Sequence, residues 1–219
     1  MKRIFILLYI AFFSMSVFAQ EKEAKVLIIT SMGKITVKLY NETPLHRDNF
    51  IKLVEENKYD SIMFHRVIKQ FMIQAGEKYA PTDSINKAAY IEPNYKVPAE
   101  FVYPKYFHKR GQLCAAREGD NENPERASSA AQFYIVTGKH FTENELNKME
   151  KEKKITLTPE QREAYKIEGG APRLDGIYTV FGEVTKGMKV VNKIELVSTQ
   201  SNDYPTKEIR IKTMKLLKK

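Results

Sequence analysis

The run Phe64-His65-Arg66-Val67-Ile68-Lys69-Gln70-Phe71-Met72-Ile73-Gln74-Ala75-Gly76 decides how the chain is read. It carries two short apolar segments, residues 62–68 and 71–74, joined by a turn, and segments of that length and composition read as paired strands. In a regular strand Phe64 and Arg66 share one face while His65 looks the other way, which sets a guanidinium beside an aromatic ring. Past the turn, Phe71, Met72 and Gln74 add a ring, a flexible thioether and an amide that both donates and accepts. Taken alone, Arg66 reads equally well as a strand arginine whose stem covers the surface of the sheet.

Outward from that run the same rhythm recurs. Residues 26–30 and 34–40 are β-rich and separated by Ser31-Met32-Gly33, which predicts a hairpin. Thr43-Pro44 is a helix start, and Phe50, Leu53 and Val54 recur at helical spacing before Asn57. Further short apolar segments at 112–116, 132–137 and 179–184 precede a second helical stretch at 188–196 and a closing strand at 209–217. Many short strands with two framework helices predict a mainly β fold, a closed or nearly closed antiparallel barrel. Residues 78–110, rich in Tyr, Pro and Lys, read as an ordered surface loop, because their prolines forbid a long helix or a central strand. Residues 138–173 look like an insertion: Leu146 and Met149 lie in a Glu/Lys-rich run, Thr158-Pro159 with Gln161 makes a capping-box start, and Gly169-Gly170 a stop. A short helical hairpin is expected there, either flanking the mouth of a site or decorating the surface.

Composition narrows the function classes. With 219 residues, 42% hydrophobic and 29% charged, the chain can bury a core, which excludes disordered and low-complexity classes. The single cysteine, Cys114, excludes an intramolecular disulfide, and its apolar flanks predict a buried structural thiol. His46, His65, His108 and His140 are too far apart for a helical zinc site, so no metal and no cofactor are expected. The net charge of +9 comes from basic residues interleaved with Glu and without a nucleic-acid-reading motif, which fits a solvated surface better than a nucleic-acid binder. Lys2-Arg3, an uncharged run over 4–18 and Val17-Phe18-Ala19 form a signal-peptide pattern over residues 1–19, with cleavage after Ala19. A helix of that run would span only about 22 Å, short of a hydrocarbon core of about 30 Å. An exported, periplasmic or otherwise extracytoplasmic protein is expected, with one domain over residues 20–219 and no membrane span after cleavage.

Three separated motifs together resemble the cyclophilin-type peptidyl-prolyl cis-trans isomerases: the run at 64–76; Gln132-Phe133-Tyr134-Ile135 after Ser128-Ser129; and Leu174-Asp175-Gly176 leading to Val180-Phe181-Gly182-Glu183-Val184. Gly111-Gln112-Leu113-Cys114-Ala115-Ala116 matches the family less distinctively. The resemblance covers about 24–217, interrupted by 138–173, and implies an eight-stranded antiparallel barrel capped by two helices. It implies that Arg66 is the catalytic arginine, that Phe71, Met72, Tyr134 and Leu174 wall a proline pocket, and that Gln74 and Gln132 orient the peptide. Ala116 and Arg117 fall where the family contacts residues before the proline, and Tyr178 where many relatives have histidine. Arg173 falls where many relatives have tryptophan, and the chain has none, which puts cyclosporin binding in doubt. The expected partners are unfolded or flexible proline-containing polypeptides, met by a monomer that assists their folding. The alternative is a proline-recognising chaperone or docking module of the same fold with little turnover.

Overall fold

The computed structural model describes residues 22–77 and 93–217. The signal-peptide pattern over 1–19, and residues 78–92 of the expected surface loop, lie outside the described residues. In chain order the strands and helices are β1 (Lys25–Thr30), β2 (Gly33–Leu39), α1 (Pro44–Glu55), β3 (Phe64–Ile68), β4 (Met72–Ala75), β5 (Lys96–Val97) and β6 (Gln112–Ala115). They continue with β7 (Ser128–Ser129), β8 (Phe133–Val136), α2 (Glu143–Lys153), α3 (Pro159–Ile167), β9 (Val180–Lys186), α4 (Met188–Glu195) and β10 (Ile211–Leu217).

Eight of the strands form one antiparallel sheet in the order β10-β1-β2-β9-β6-β8-β4-β3. The first hairpin shows why these segments choose strands: alternate residues, Val26 and Ile28 on β1 and Ile35, Val37 and Leu39 on β2, are buried, so one register gives the sheet an apolar inner face. The two edges, β3 and β10, meet through the Met63–Arg210 bridge, with Phe64 N–H donating to the Ile209 carbonyl at 2.9 Å and Ile211 N–H to the Ile62 carbonyl at 2.8 Å. The barrel expected from the sequence is thus drawn together at a short seam rather than by a continuous ladder. Its interior holds Ile28, Val37, Phe64, Leu113 and Ile135, closed by Phe50 of α1 and Ile194 of α4. Phe50 meets Phe133 edge to face, with ring centroids 5.5 Å apart.

The helix start at Thr43-Pro44 is where it was expected, but its amides are satisfied differently. The Thr43 hydroxyl turns back to the Tyr40 carbonyl, and Leu45 and His46 N–H donate to the Glu100 carboxylate at 3.1 and 3.0 Å. A carboxylate from the loop after residue 93 therefore meets the positive end of α1. That loop is less irregular than its prolines suggest, because β5 pairs with β7.

The insertion is the expected helical hairpin. α2 and α3 both begin with capping boxes, Thr142 with Glu145 and Thr158 with Gln161, and α3 stops before Gly169, whose φ of +86° is left-handed. Leu146, Leu157 and Tyr165 form a small core of their own around Phe107. The two ends of the insertion are clasped: Gly170 N–H donates to the Lys139 carbonyl, and a Cβ on Gly138 would stand 2.3 Å from the Gly170 backbone.

Candidate active site

Four neighbouring strands carry the site on the outer face of the sheet. Register places Arg66 of β3 opposite Gln74 of β4, Gln74 opposite Tyr134 of β8, and Tyr134 opposite Cys114 of β6. A second apolar cluster, with Met72, Cys114 and Tyr134 buried and Phe71, Leu174 and Tyr178 packed against them, covers this face.

One expectation about the first strand is corrected here. Phe64 and Arg66 do not share a face: Phe64 is fully buried in the barrel, whereas Arg66 is exposed. The pairing jumps from Phe64–Ala75 to Arg66–Gln74, so His65 is an extra residue on β3. A bulge of this kind breaks the period of two and re-aims the next side chain. It leaves Phe64 to the core and sends Arg66 outward, to a cavity that Phe71 also lines.

A cavity of about 130 Å³ is lined by Arg66, Phe71, Met72, Gln74, Ala116, Arg117, Tyr134, Leu174 and Tyr178. Gln132 joins them through Gln74, whose Nε2 donates to the Gln132 Oε1 at 2.9 Å. Gln132 also lines a neighbouring cavity of about 500 Å³ that shares Gln74, Ala116 and Arg117 with the first. Every residue singled out from the sequence is therefore brought to one place, although the ten are spread over more than a hundred positions of chain.

The two arginines at the cavity are in different states. Arg66 has a side chain 44% exposed and touches Asp203 Oδ2 through Nε at 3.4 Å, a long contact that leaves the terminal nitrogens open to a ligand. Arg117 has a side chain only 3% exposed: its Nε donates to the Ile177 carbonyl, its Nη1 donates to the Glu118 carbonyl and pairs with Asp120 at 2.7 Å, and its plane lies 4.3 Å from the centre of the Tyr178 ring. Arg117 thus shapes the wall and holds Tyr178, with its Nε and Nη1 engaged by the protein itself. Its position in the lining of both cavities leaves the Nη2 edge as the part of Arg117 that a peptide could meet.

Beneath the wall lies a buried polar relay that the sequence did not disclose. His108 and Asp175, with side chains 0% and 1% exposed, pair at 3.0 Å through Nδ1 and Oδ1, and the Asp175 carboxylate also accepts from the His108 backbone N–H. His108 Nε2 meets the Tyr134 hydroxyl at 3.0 Å, and the Tyr165 hydroxyl of α3 donates to Asp175 Oδ2 at 2.6 Å. Tyr178 packs edge-on against both His108 and Tyr134. Burial pushes the Tyr134 phenol and the Cys114 thiol well above their ordinary pKa values, so both stay protonated. The two helices of the insertion meet the site from behind, through Tyr165, and among the described residues none of α2 or α3 lines the cavity; the insertion's last residue, Arg173, lies over the ring of Phe71.

The lining holds no serine, cysteine or carboxylate, and no cluster of metal-ligating side chains occurs among the described residues. A ring-sized cleft walled by Phe71, Met72 and Leu174, with a guanidinium and an amide at its edge, has the make-up of a binding site for a small apolar group. The model of one family, "Cyclophilin type peptidyl-prolyl cis-trans isomerase/CLD", matches residues 25–216, and the chain belongs to that family. It is similar to "Peptidyl-prolyl cis-trans isomerase-like 1" of Aspergillus fumigatus, with 33% identity over 83% of this chain and 88% of that one. It is also similar to "Peptidyl-prolyl cis-trans isomerase-like 2" of Rhizopus delemar, 30% identical over 90% of this chain but spanning only 29% of that longer protein. Among solved structures, a Cryptosporidium parvum cyclophilin type peptidyl-prolyl cis-trans isomerase superposes with a TM-score of 0.64 and 23% identity, covering 90% of this chain and 99% of that one. A second structure of that protein was determined in the presence of the dipeptide Ala-Pro. Family and relatives identify the activity as peptidyl-prolyl cis-trans isomerisation.

Proposed function

We propose that the chain is an exported isomerase that accelerates Xaa-Pro rotation in unfolded or flexible polypeptides and so assists their folding, with Arg66 as its catalytic residue. The observation that carries the site assignment is the meeting of an open Arg66 guanidinium with the apolar walls of one ring-sized cavity. An Xaa-Pro bond rotates slowly because amide conjugation must be broken, against a barrier of about 18–20 kcal/mol. As the bond twists, the proline nitrogen pyramidalises and regains its lone pair. A donor aimed at that nitrogen binds the twisted state better than the planar one, which is what lowers a barrier. Phe71, Met72, Tyr134 and Leu174 hold the ring and exclude water, and the Gln74–Gln132 pair holds the peptide backbone. Ala116 and the Arg117 wall lie toward the residues before the proline, and the Tyr178 ring packs on the substrate. A reduction of about 7 kcal/mol would give roughly a 10⁵-fold acceleration, a demand that a charged donor and desolvation can share.

Export is supported by the leader-like pattern of residues 1–19, and no helix among the described residues is long and apolar enough to cross a membrane. The catalytic reading is tested by following cis–trans exchange of a blocked Ala-Pro peptide by NMR with purified protein; exchange at the uncatalysed rate, with peptide bound, would favour the docking alternative. Mass spectrometry of the protein from fractionated cells tests export, with an extracytoplasmic species beginning at Gln20 expected and an intact cytoplasmic chain opposing it.

A further inference from the structure

Resting on the isomerase reading, we propose that Arg173 is a specificity-determining residue that favours substrates carrying a carboxylate on the residue after the proline. Arg173 sits in a 3-10 turn, Pro172–Leu174, whose backbone is fixed: Pro172 is buried, Ala171 N–H donates to the His108 carbonyl, and Leu174 N–H donates to the Ala171 carbonyl. Leu174 turns into the proline cavity, and Arg173 is exposed beside it. Its guanidinium lies 4.2 Å from the centre of the Phe71 ring, which is itself a wall of that cavity.

The three guanidiniums around the mouth are unequal. Arg117 is held through Nε and Nη1 by Asp120 and two carbonyls, and Arg66 is partly engaged by Asp203. Arg173 is held by a ring face, and no carboxylate among the described residues pairs with it. Stacking restrains the planar fork and leaves its edge, with its N–H donors, for an anion, the geometry that suits a carboxylate. Direction follows from the cavities. The larger one shares Gln74, Ala116 and Arg117 with the proline cavity and is assigned to the segment before the proline, whereas Phe71 and Leu174 line only the smaller one. A chain leaving past Phe71 meets Arg173 first.

The test is NMR exchange spectroscopy on three blocked peptides, Ala-Ala-Pro-Glu, Ala-Ala-Pro-Gln and Ala-Ala-Pro-Lys, with wild type, Arg173→Gln and Arg173→Glu. Wild type is expected to give a kcat/KM for the Glu peptide roughly 3–10-fold above the Gln peptide, with the Lys peptide below both and the spread compressed at high salt. The Glu/Gln ratio should fall to about one in Arg173→Gln and below one in Arg173→Glu. Equal turnover of all three peptides by wild type, or an unchanged ranking in Arg173→Gln, overturns the selectivity while leaving the isomerase reading intact. Turnover of none overturns both.

Discussion

Two cavities on this molecule differ in a way that separates space from chemistry. The larger, about 590 Å³, lies around Tyr40 and Tyr106, whose rings stack 3.9 Å apart, and it is ringed with charge. Those charges answer one another: Lys38 pairs with Glu23 and Glu183 at 3.0 and 3.1 Å, Lys105 pairs with Glu42, and the Tyr106 hydroxyl donates to Glu42. The smaller, about 130 Å³, is walled by Phe71, Met72 and Leu174 and holds two guanidiniums, of which Arg117 is paired at 2.7 Å while Arg66 meets a carboxylate, among the described residues, only at 3.4 Å. Volume records where side chains leave room; reactivity follows donors that the fold has not already used.

That contrast breaks first on turnover. Arg66→Ala should lower kcat/KM by about 10²–10³-fold in the NMR exchange assay, the scale for removing one charged donor to a transition state. Its urea midpoint should hold, because the side chain is solvent-exposed and only loosely paired. Lys38→Gln, in the larger cavity, should leave turnover within about two-fold; a loss comparable to that of Arg66→Ala would erase the distinction between the two sites.

The second effect is on stability against pH. His65, on the bulge beside Arg66, is held down to about 4, chiefly by burial and secondly by the Arg66 charge, while half-exposed Glu77 lies 3.4 Å away. The unfolded chain protonates this imidazole below about 6.5 and the folded one only near 4, so the contribution is intact above 6.5 and lost as pH falls between those values. Urea unfolding should show a decline of up to roughly 3 kcal/mol across that window, reduced in His65→Gln. A parallel decline in His65→Gln would assign the effect to other groups, His46 among them, whose pKa burial also lowers.

The smallest effect compares the hydroxyls. Tyr134→Phe strips the partner from fully buried His108 and should cost about 1–3 kcal/mol in unfolding free energy. Tyr106→Phe releases an exposed carboxylate to water and should stay within about 0.5 kcal/mol. Equal costs would mean that the relay beneath the small cavity does not carry the wall.

How much of this was legible in the sequence depends on how local the signal is. The eight strands of the sheet and both framework helices follow from periodicity, and the hairpin at 138–173 from its capping residues. The ten residues singled out from the sequence lie around one cavity, nine in its lining and Gln132 joined to it through Gln74. What stayed hidden is non-local. The bulge at His65 has no residue signature and appears only as a slip against β4. Glu100 reaches the start of α1 across 54 residues, and His108 finds Asp175 across 67, so neither pairing leaves a mark on its own neighbourhood. The Ile177 carbonyl reaches Arg117 across 60 residues, and only folding shows that its Nε is engaged.

The central claim, that Arg66 acts as a fixed donor to the twisting imide without moving a proton, is tested most directly by one titration. Cis–trans exchange of a single proline peptide is followed by NMR from pH 6 to pH 9 for wild type and Arg66→Lys. A guanidinium stays charged across that range and offers a planar fork that an ammonium lacks. The wild-type profile should therefore be flat, with the variant lower by about 10²-fold or more at every pH. A bell with neutral midpoints, or wild-type turnover by Arg66→Lys, would contradict it.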